Sequence, residues 1–303
     1  MRHEALIAIP ALFLSTFLFG GTVMAENLGL DAKSIGAAAG SIASVEADGT
    51  VKINWSRDDV TVKVDGMTLP PAAGLSSWAA IAKMSGDTAM VMGDTVVFQD
   101  EVDAAMDAAF SHDLEVTALH NHFFYDEPRV FFMHISGEGD PVALAKSVKT
   151  VWDAIRAVRK LHAVPAEGFP GGTPKPGRLD AKSLSATLGN PLPDNHGVLK
   201  MTVARKGNMH GMALGGPMGL TTWATFTGSD ELAAMDGDFI MSADEVQPVL
   251  HALRNAGIHI VALHNHMIGG DPQYFFLHFW GKGPAADLAK GLRSALDAQG
   301  AVH

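Results

Sequence analysis

The chain has no cysteine among its 303 residues. Disulfides, thiolate zinc sites, iron–sulfur clusters and thiol catalysis are therefore excluded, and a metal ion would have to be bound by histidine, carboxylate or water. Basic residues are also outnumbered. The chain has 22 lysines and arginines and 33 acidic residues, which gives a net charge of −11. Binding to a phosphate backbone needs clustered positive charge, so we predict that nucleic acid is not a partner.

Several catalytic signatures are missing as well. The sequence contains no G-x-S-x-G elbow, no P-loop and no G-x-G-x-x-G motif in a strand-to-helix context. The residues that are present are typical of a globular protein, with 47% apolar and 18% charged side chains. The length is sufficient for about two domains.

The first 25 residues have the pattern of a secretory signal peptide. A short basic start precedes an apolar run at residues 5–21, and small residues at 23–25 provide a cleavage site. Because no cysteine follows that could accept a lipid, we expect a periplasmic or secreted protein without a permanent membrane anchor.

The remainder of the chain consists of two copies of one pattern. Leu30-Asp31-Ala32-Lys33-Ser34 recurs from Leu179, Asp100-Glu101-Val102 recurs from Asp244, and many smaller matches lie between them in the same order. We interpret this as a tandem duplication with units at residues 28–162 and 178–300. A segment rich in proline and glycine, residues 163–177, is predicted to be the linker. Strand-like alternation, as at residues 60–64, predicts strands, and a capping box from Ser242 to Glu245 predicts the start of a helix. Together these patterns predict an α+β fold, in which each unit has a mostly antiparallel sheet with helices on one side.

Three histidines recur in both units at the same spacing. They are His120, His122 and His134 in the first unit, and His264, His266 and His278 in the second. We predict a hairpin of strands at 116–122 and 130–136, in which Leu119, Met133 and the other odd-numbered apolar residues face the helices. All three histidines then lie on the opposite face. Three convergent imidazoles are suitable ligands for Zn²⁺ or Cu²⁺, and also for Fe²⁺, which makes the six histidines candidate metal ligands.

Carboxylates also lie near these histidines in the sequence. Glu127 and Asp271 occupy matching positions in the two hairpin loops, and Glu127 is the candidate general base if the protein is an enzyme. Asp94 and Asp238 each follow a glycine, and we interpret them as turn residues. The acidic residues at 100–101 and 244–245 begin predicted helices and receive structural roles.

The paired Ala-Leu-His-Asn-His motifs resemble those of the LppY/LpqO family, a group of exported bacterial proteins. The resemblance covers nearly all of the chain after the signal peptide and implies a duplicated, exported protein, but it implies no activity. Two features depart from it, since the chain has no lipid-acceptor cysteine and its second unit has Asp271-Pro272-Gln273 in place of Glu-Pro-Arg. The residues that carry the resemblance are 92–94, 100–102, 118–122, 127–129 and 132–134, with their second-unit counterparts.

Three functions remain open from the sequence. The first is an exported metal-binding protein that sequesters, buffers or senses zinc or copper. The second is a metal-dependent hydrolase or lyase in which the metal activates water and Glu127 acts as the base. The third is a non-catalytic module that binds a small molecule, an envelope polymer or a protein, with the histidines serving the fold.

Overall fold

The computed structural model of the chain describes residues 29–300, so the expected signal peptide at residues 1–25 lies outside the described residues. Within that range the two units have the same order of elements. The first unit comprises α1 Ala32–Ala39, β1 Ala43–Val45, β2 Val51–Ser56, β3 Lys63–Val64, β4 Met67–Thr68, β5 Ser76–Lys83, β6 Ala89–Phe98, α2 Val102–Phe110, β7 Glu115–His120, β8 Asp126–Glu127, β9 Val130–Gly139 and α3 Pro141–Leu161. The second comprises α4 Ala181–Leu188, β10 Asp194–Asn195, β11 Val198–Ala204, β12 Gly207–Met209, β13 Met212–Leu214, β14 Thr221–Gly228, β15 Ala233–Met241, α5 Ala243–Asn255, β16 His259–His264, β17 Gly270–Asp271, β18 Phe275–Gly283 and α6 Ala285–Gly300.

The two units share one antiparallel sheet of twelve strands. Its order is β1-β2-β5-β6-β9-β7-β16-β18-β15-β14-β11-β10, so each half is the mirror of the other in strand order. The halves meet where β7 pairs with β16, with Leu119 opposite Leu263. The strands at the two outer edges, β1 and β10, are only 3 and 2 residues long. Short edge strands limit the unpaired backbone that could recruit another chain.

The main core lies between this sheet and the helices. It is one connected cluster of buried side chains that runs through both units. Leu119, Met133 and Ile135 belong to it, and Phe131 packs against it, as the predicted alternation requires. The fold class is therefore confirmed, with two tandem α+β units and a mostly antiparallel sheet. The sequence did not predict that the two sheets would be one.

The opposite face of the sheet carries two smaller clusters. One contains Val96, Phe98, Val130 and Phe132 of the first unit, and the other contains Ile240, Tyr274 and Phe276 of the second. Each unit also has a small three-stranded sheet, which is β4-β3-β8 in the first unit and β13-β12-β17 in the second. His120 and His134 face this side, as do their counterparts His264 and His278, whereas the register shifts after Val116 and Ile260 leave those two residues in the main core.

Two expected strands are shorter than the pattern suggested. The alternation at residues 60–64 produces only β3, Lys63–Val64. The strand expected at 116–122 ends at His120, so that His122 lies beyond it. In contrast, the predicted capping box is present at α5, where Glu245 accepts a hydrogen bond from the Ser242 backbone at 2.8 Å.

Contacts between α2, α5 and the central strands hold the two halves together. The Gln247 side chain of α5 bonds to the Val116 backbone of β7, donating at 2.9 Å and accepting at 3.3 Å. Asp103, at the matching position of α2, lies 2.6 Å from His259 Nδ1 of β16. The halves therefore use equivalent helix positions to reach the strand of the other unit. Among residues 29–300, no helix combines the length and the apolar character that a membrane crossing needs.

Candidate metal centre

An aspartate and a histidine lie side by side at the same place in each half of the sheet. In the first unit Asp94 of β6 is opposite His134 of β9. In the second unit Asp238 of β15 is opposite His278 of β18. The interpretation of Asp94 and Asp238 as turn residues was therefore wrong, because both lie inside strands. The glycine before each aspartate allows close strand packing, and no turn is formed there.

The second unit gathers three potential ligands. Asp238, His264 and His278 each offer one ligand atom, and these atoms all lie within 4.8 Å of one another. The imidazole rings of His264 and His278 are stacked, with centroids 5.0 Å apart. The aspartate is buried and both histidines are partly buried. Two imidazoles and a carboxylate in this arrangement form a ligand set that suits Zn²⁺ or Cu²⁺.

The hydrogen bonds of His264 determine which nitrogen is available. Its Nδ1 lies 3.0 Å from the carbonyl oxygen of Asn265. A carbonyl can only accept, so Nδ1 carries the proton and Nε2 of the neutral ring keeps its lone pair. That Nε2 is buried and has no hydrogen-bond partner among the described residues. A backbone carbonyl on one ring nitrogen and a free lone pair on the other is the usual state of a histidine ligand.

The charge state of Asp238 reflects the same surroundings. Burial raises the pKa of the Asp238 carboxyl, while the nearby imidazoles of His278 and His264 act in the opposite direction. Its Oδ1 also accepts a hydrogen bond from the Leu277 backbone at 3.2 Å. A buried carboxylate with a raised pKa lacks enough positive charge nearby, and a bound cation would supply it.

Among the described residues, the first unit does not gather three ligand atoms as closely as the second does, but it brings His120 and His134 together. His120 Nε2 and His134 Nε2 are 3.0 Å apart, and His134 Nε2 lies 4.0 Å from Asp94 Oδ1. In a tetrahedral zinc centre with Zn–N distances of about 2.0–2.1 Å, two ligand nitrogens are roughly 3.4 Å apart. The Asp94 Oδ1 atom is buried and has no hydrogen-bond partner in the part of the chain described. The predicted pair of His120 and His134 therefore meets at a distance that a metal could bridge.

The remaining histidine of each unit, His122 or His266, has a different position. His122 lies after the end of β7, with its ring stacked on Phe132 at 3.3 Å and on His120 at 5.1 Å. Burial lowers the pKa of His122, which favours the neutral, ligand-competent ring. His266 is exposed, with its ring 4.7 Å from that of Phe276. It lies outside the group formed by Asp238, His264 and His278.

The join between the units brings the two histidine groups near each other. Because β7 and β16 are antiparallel and Leu119 is opposite Leu263, Ala118 lies opposite His264 and Ala262 opposite His120. Strand spacing of about 4.8 Å and a rise of about 3.4 Å per residue then separate the Cα atoms of His120 and His264 by roughly 8 Å. Both histidine groups therefore lie on the same face of the sheet, on either side of the junction.

The candidate base Glu127 lies in a groove beside the first centre. This open groove of about 1690 Å³ extends from His120 to the hairpin loop and the linker. Glu127 is exposed and its backbone pairs with Lys63 of β3. Asp271 pairs in the same way with Asn208 in the second unit. Residues of both units and of the linker line the groove, among them Lys63, Gln99, Glu127, Arg129, Glu167 and His264.

Comparison with known families agrees with the duplication. The family described as Domain of Unknown Function (DUF1259) matches residues 33–154 and again residues 182–298. The chain belongs to this family. The two matches together cover most of the sequence and coincide with the two structural units. The narrower resemblance to the LppY/LpqO family stays a prediction.

Comparison with individual proteins gives little more. No curated protein matches the chain. Two solved structures are similar at 10% and 12% identity, a trimeric bacterial microcompartment shell protein, PduB, and EtuB from Clostridium kluyveri. They align over 84% and 86% of this chain and 89% of each of theirs, with TM-scores of 0.20 and 0.21. Scores this low carry no argument about fold or function.

Proposed function

We propose that this member of the DUF1259 family is a transition-metal-binding protein with one centre in each unit. The observation that carries the proposal is the second-unit group. There the buried Nε2 of His264 has a lone pair and no partner among the described residues, beside Asp238 and His278. Leaving such an atom unsatisfied costs free energy that coordination would recover.

The first unit supports the proposal through the same construction. His120, His134 and Asp94 occupy the matching positions, and Asp94 has a buried oxygen without a partner among the described residues. His122 adds a fourth candidate through its stack on His120. Nitrogen-rich sets with one carboxylate and no thiolate favour Zn²⁺ and Cu²⁺ over Mg²⁺ or Ca²⁺, which prefer oxygen ligands.

The proposal is tested by elemental analysis and calorimetric titration of protein prepared without a histidine tag. We expect wild-type protein to bind Zn²⁺ or Cu²⁺, and the His264→Ala/His278→Ala variant to lose the second-unit site. His162→Ala is a matched control, because this histidine is exposed and follows α3. Wild-type protein that contains no metal and binds none on titration would contradict the proposal.

A second function is favoured by the groove. His120, at the first centre, and Glu127 line the same open space, so a metal-activated water there could have a nearby base. In this hydrolase or lyase, Glu127→Gln would keep its metal and lose turnover, whereas Asp271→Asn in the second unit would keep both. A loss of metal together with activity would assign Glu127 to metal binding instead.

The export of the protein forms part of the proposal and depends on residues 1–25. We expect protein recovered from the periplasm to begin near Glu26, which N-terminal sequencing would determine. Mature protein that retains Met1 would contradict it.

A further inference from the structure

The hairpin loop of the first unit holds a tyrosine in a costly backbone conformation. Tyr125 has a φ of 58°, in the left-handed region that residues other than glycine rarely adopt. The matching residue of the second unit is Gly269, with a φ of 80°, so the same turn forms there without a side chain. The Tyr125 side chain is 82% exposed, and packing therefore gives little in return for the strain. Strain kept without a packing gain is typical of a residue retained for binding.

A second exposed aromatic residue lies beside it. Phe124 is also 82% exposed, and both residues line the groove next to the first centre. Two adjacent exposed aromatic rings form an apolar patch that a ligand with flat apolar faces can cover. In the second unit the corresponding residues are Ile268 and Gly269, which offer no flat ring.

The charged groups of the groove that are left without a partner are balanced, because Asp59, which also lines it, is paired with Arg57, and Asp126 is buried and accepts a hydrogen bond from the Val130 backbone. Lys63 and Arg129 are basic, Glu127 and Glu167 are acidic, and all four are exposed. Within residues 29–300, none of the four has a salt-bridge partner. Two positive and two negative groups provide many hydrogen-bond donors and acceptors without a net charge of one sign. A groove of this kind suits a neutral ligand with many hydroxyl groups better than an ionic one.

The linker forms one wall of the groove. Residues 163–167 line it, and the Ala166 backbone donates a hydrogen bond to Asp100 at 3.1 Å. Asp100 is also paired with Arg159 of α3, so the linker is fastened to the first unit. The linker follows only that unit. The groove therefore arises from features that the second unit lacks.

From these observations we propose that the groove binds a carbohydrate chain. Phe124 and Tyr125 would stack against the apolar faces of sugar rings, and the four charged residues would bond to hydroxyl groups. This binding activity is separate from metal binding, since none of these six residues belongs to the histidine and aspartate groups described above.

The test begins with the full-length protein on an array of neutral, amino and acidic oligosaccharides, followed by calorimetric titration of the strongest binder. We expect Tyr125→Gly to weaken binding by about tenfold, the size of one lost aromatic contact. Its thermal midpoint should equal or exceed that of the wild type, because glycine relieves the positive φ. Phe124→Ala should weaken binding to a similar degree. Ile268→Ala is the matched control and should change the affinity by less than about twofold.

Three results would overturn the proposal. The first is an array on which no oligosaccharide binds. The second is wild-type affinity in both Tyr125→Gly and Phe124→Ala. The third is binding that disappears with EDTA, which would assign the ligand to a metal and not to the aromatic groove. Binding retained in the presence of EDTA supports the groove whether or not the metal centres exist.

Discussion

At the scale of single residues, Asp238 combines two opposing demands. Its burial penalises the charged carboxylate in the free protein, and the same charge is what a cation would need. Because the pKa of Asp238 is raised on folding, the folded protein holds the carboxyl proton more tightly than the unfolded chain does. The stability that this gives is lost as the pH rises above the ordinary pKa of about 3.9 and through the raised one. At neutral pH, therefore, the residue costs stability and favours metal binding.

Replacing this carboxylate by an amide should separate the two effects. We expect Asp238→Asn to lower the affinity for Zn²⁺ or Cu²⁺ by about tenfold or more, as loss of a charged ligand removes a favourable interaction. The metal-free variant should melt at the same temperature or higher, because the amide oxygen can still accept the Leu277 bond. Calorimetric titration and thermal unfolding measure the two quantities. Asp244→Asn, exposed on α5, is the control, and unchanged metal affinity in Asp238→Asn would contradict the role assigned to it.

The glycine before each aspartate sets how closely the strands can pack. A Cβ at Gly237 would lie 2.2 Å from the Phe279 ring and 2.5 Å from the Trp223 carbonyl, whereas at Gly93 the nearest atom would be the Trp78 carbonyl at 2.9 Å. We expect Gly237→Ala to destabilise the protein by about 1–3 kcal/mol and Gly93→Ala by less. Urea unfolding of the two variants makes the comparison, and the reverse order would contradict this account.

The candidate ligands were only partly predictable from the sequence. The spacing of the histidines indicated His120, His134, His264 and His278, because imidazoles that share one face of neighbouring strands are suitable metal ligands. Asp94 and Asp238 were missed since a glycine followed by aspartate is also a common turn signal. The available signal was that each aspartate interrupts a run of apolar residues long enough to be a buried strand.

At the scale of elements, α2 and α5 pack against each other across the junction of the units. The ring of His251 in α5 stacks on Phe110 in α2 with centroids 4.0 Å apart. Burial lowers the pKa of His251, so the folded protein favours the neutral ring. The unfolded chain then binds a proton more readily, and stability from this contact is lost as the pH falls below about 6.5.

The lowered pKa of His251 predicts a measurable difference between the wild type and a variant. Between pH 7.5 and pH 5, we expect the thermal midpoint of the wild type to fall further than that of His251→Phe, which keeps a ring on Phe110 and cannot be protonated. Thermal unfolding at several pH values provides the comparison. Equal pH dependence in the two proteins would show that His251 contributes nothing to the acid sensitivity of the junction.

Local patterns predicted most helices and the histidine hairpins, but they overestimated some strands. The α5 capping box was predictable because its residues act within one turn. The alternation at residues 60–64 was misleading, since only Lys63 and Val64 find a partner strand. Alternation describes which face a side chain would take, whereas strand formation depends on a neighbour that the pattern does not identify.

At the scale of the whole molecule, the two units share one continuous sheet and one core. Leu263 is 3% exposed, belongs to the shared core and pairs with Leu119 across the junction. Neither repeat by itself specifies this pairing, which explains why the sequence predicted two units and not one sheet. The linker, which is rich in proline and glycine, was predicted to separate two domains. In the structure it connects two halves whose strands form one sheet.

A core substitution at the junction should therefore destabilise both units together. We expect Leu263→Ala to reduce the free energy of unfolding by about 2–5 kcal/mol and to preserve a single transition. Hydrogen exchange read by mass spectrometry follows peptides of each unit separately. Two transitions, or loss of protection confined to residues 178–300, would show that the units unfold independently.

The junction also shows what a duplicated chain can do that a symmetric dimer cannot. By the repeat, the Asp107 and Arg254 pair corresponds to the His251 and Phe110 pair, yet the former is an ion pair at 2.9 Å and the latter a ring stack. Two identical subunits would have to use the same contact twice. Once the halves are covalently linked, each position can change without altering its counterpart, and one half can specialise while the other preserves the shared architecture. The groove shows the same divergence, because Tyr125 corresponds to Gly269 in the second unit and Arg129 corresponds to Gln273.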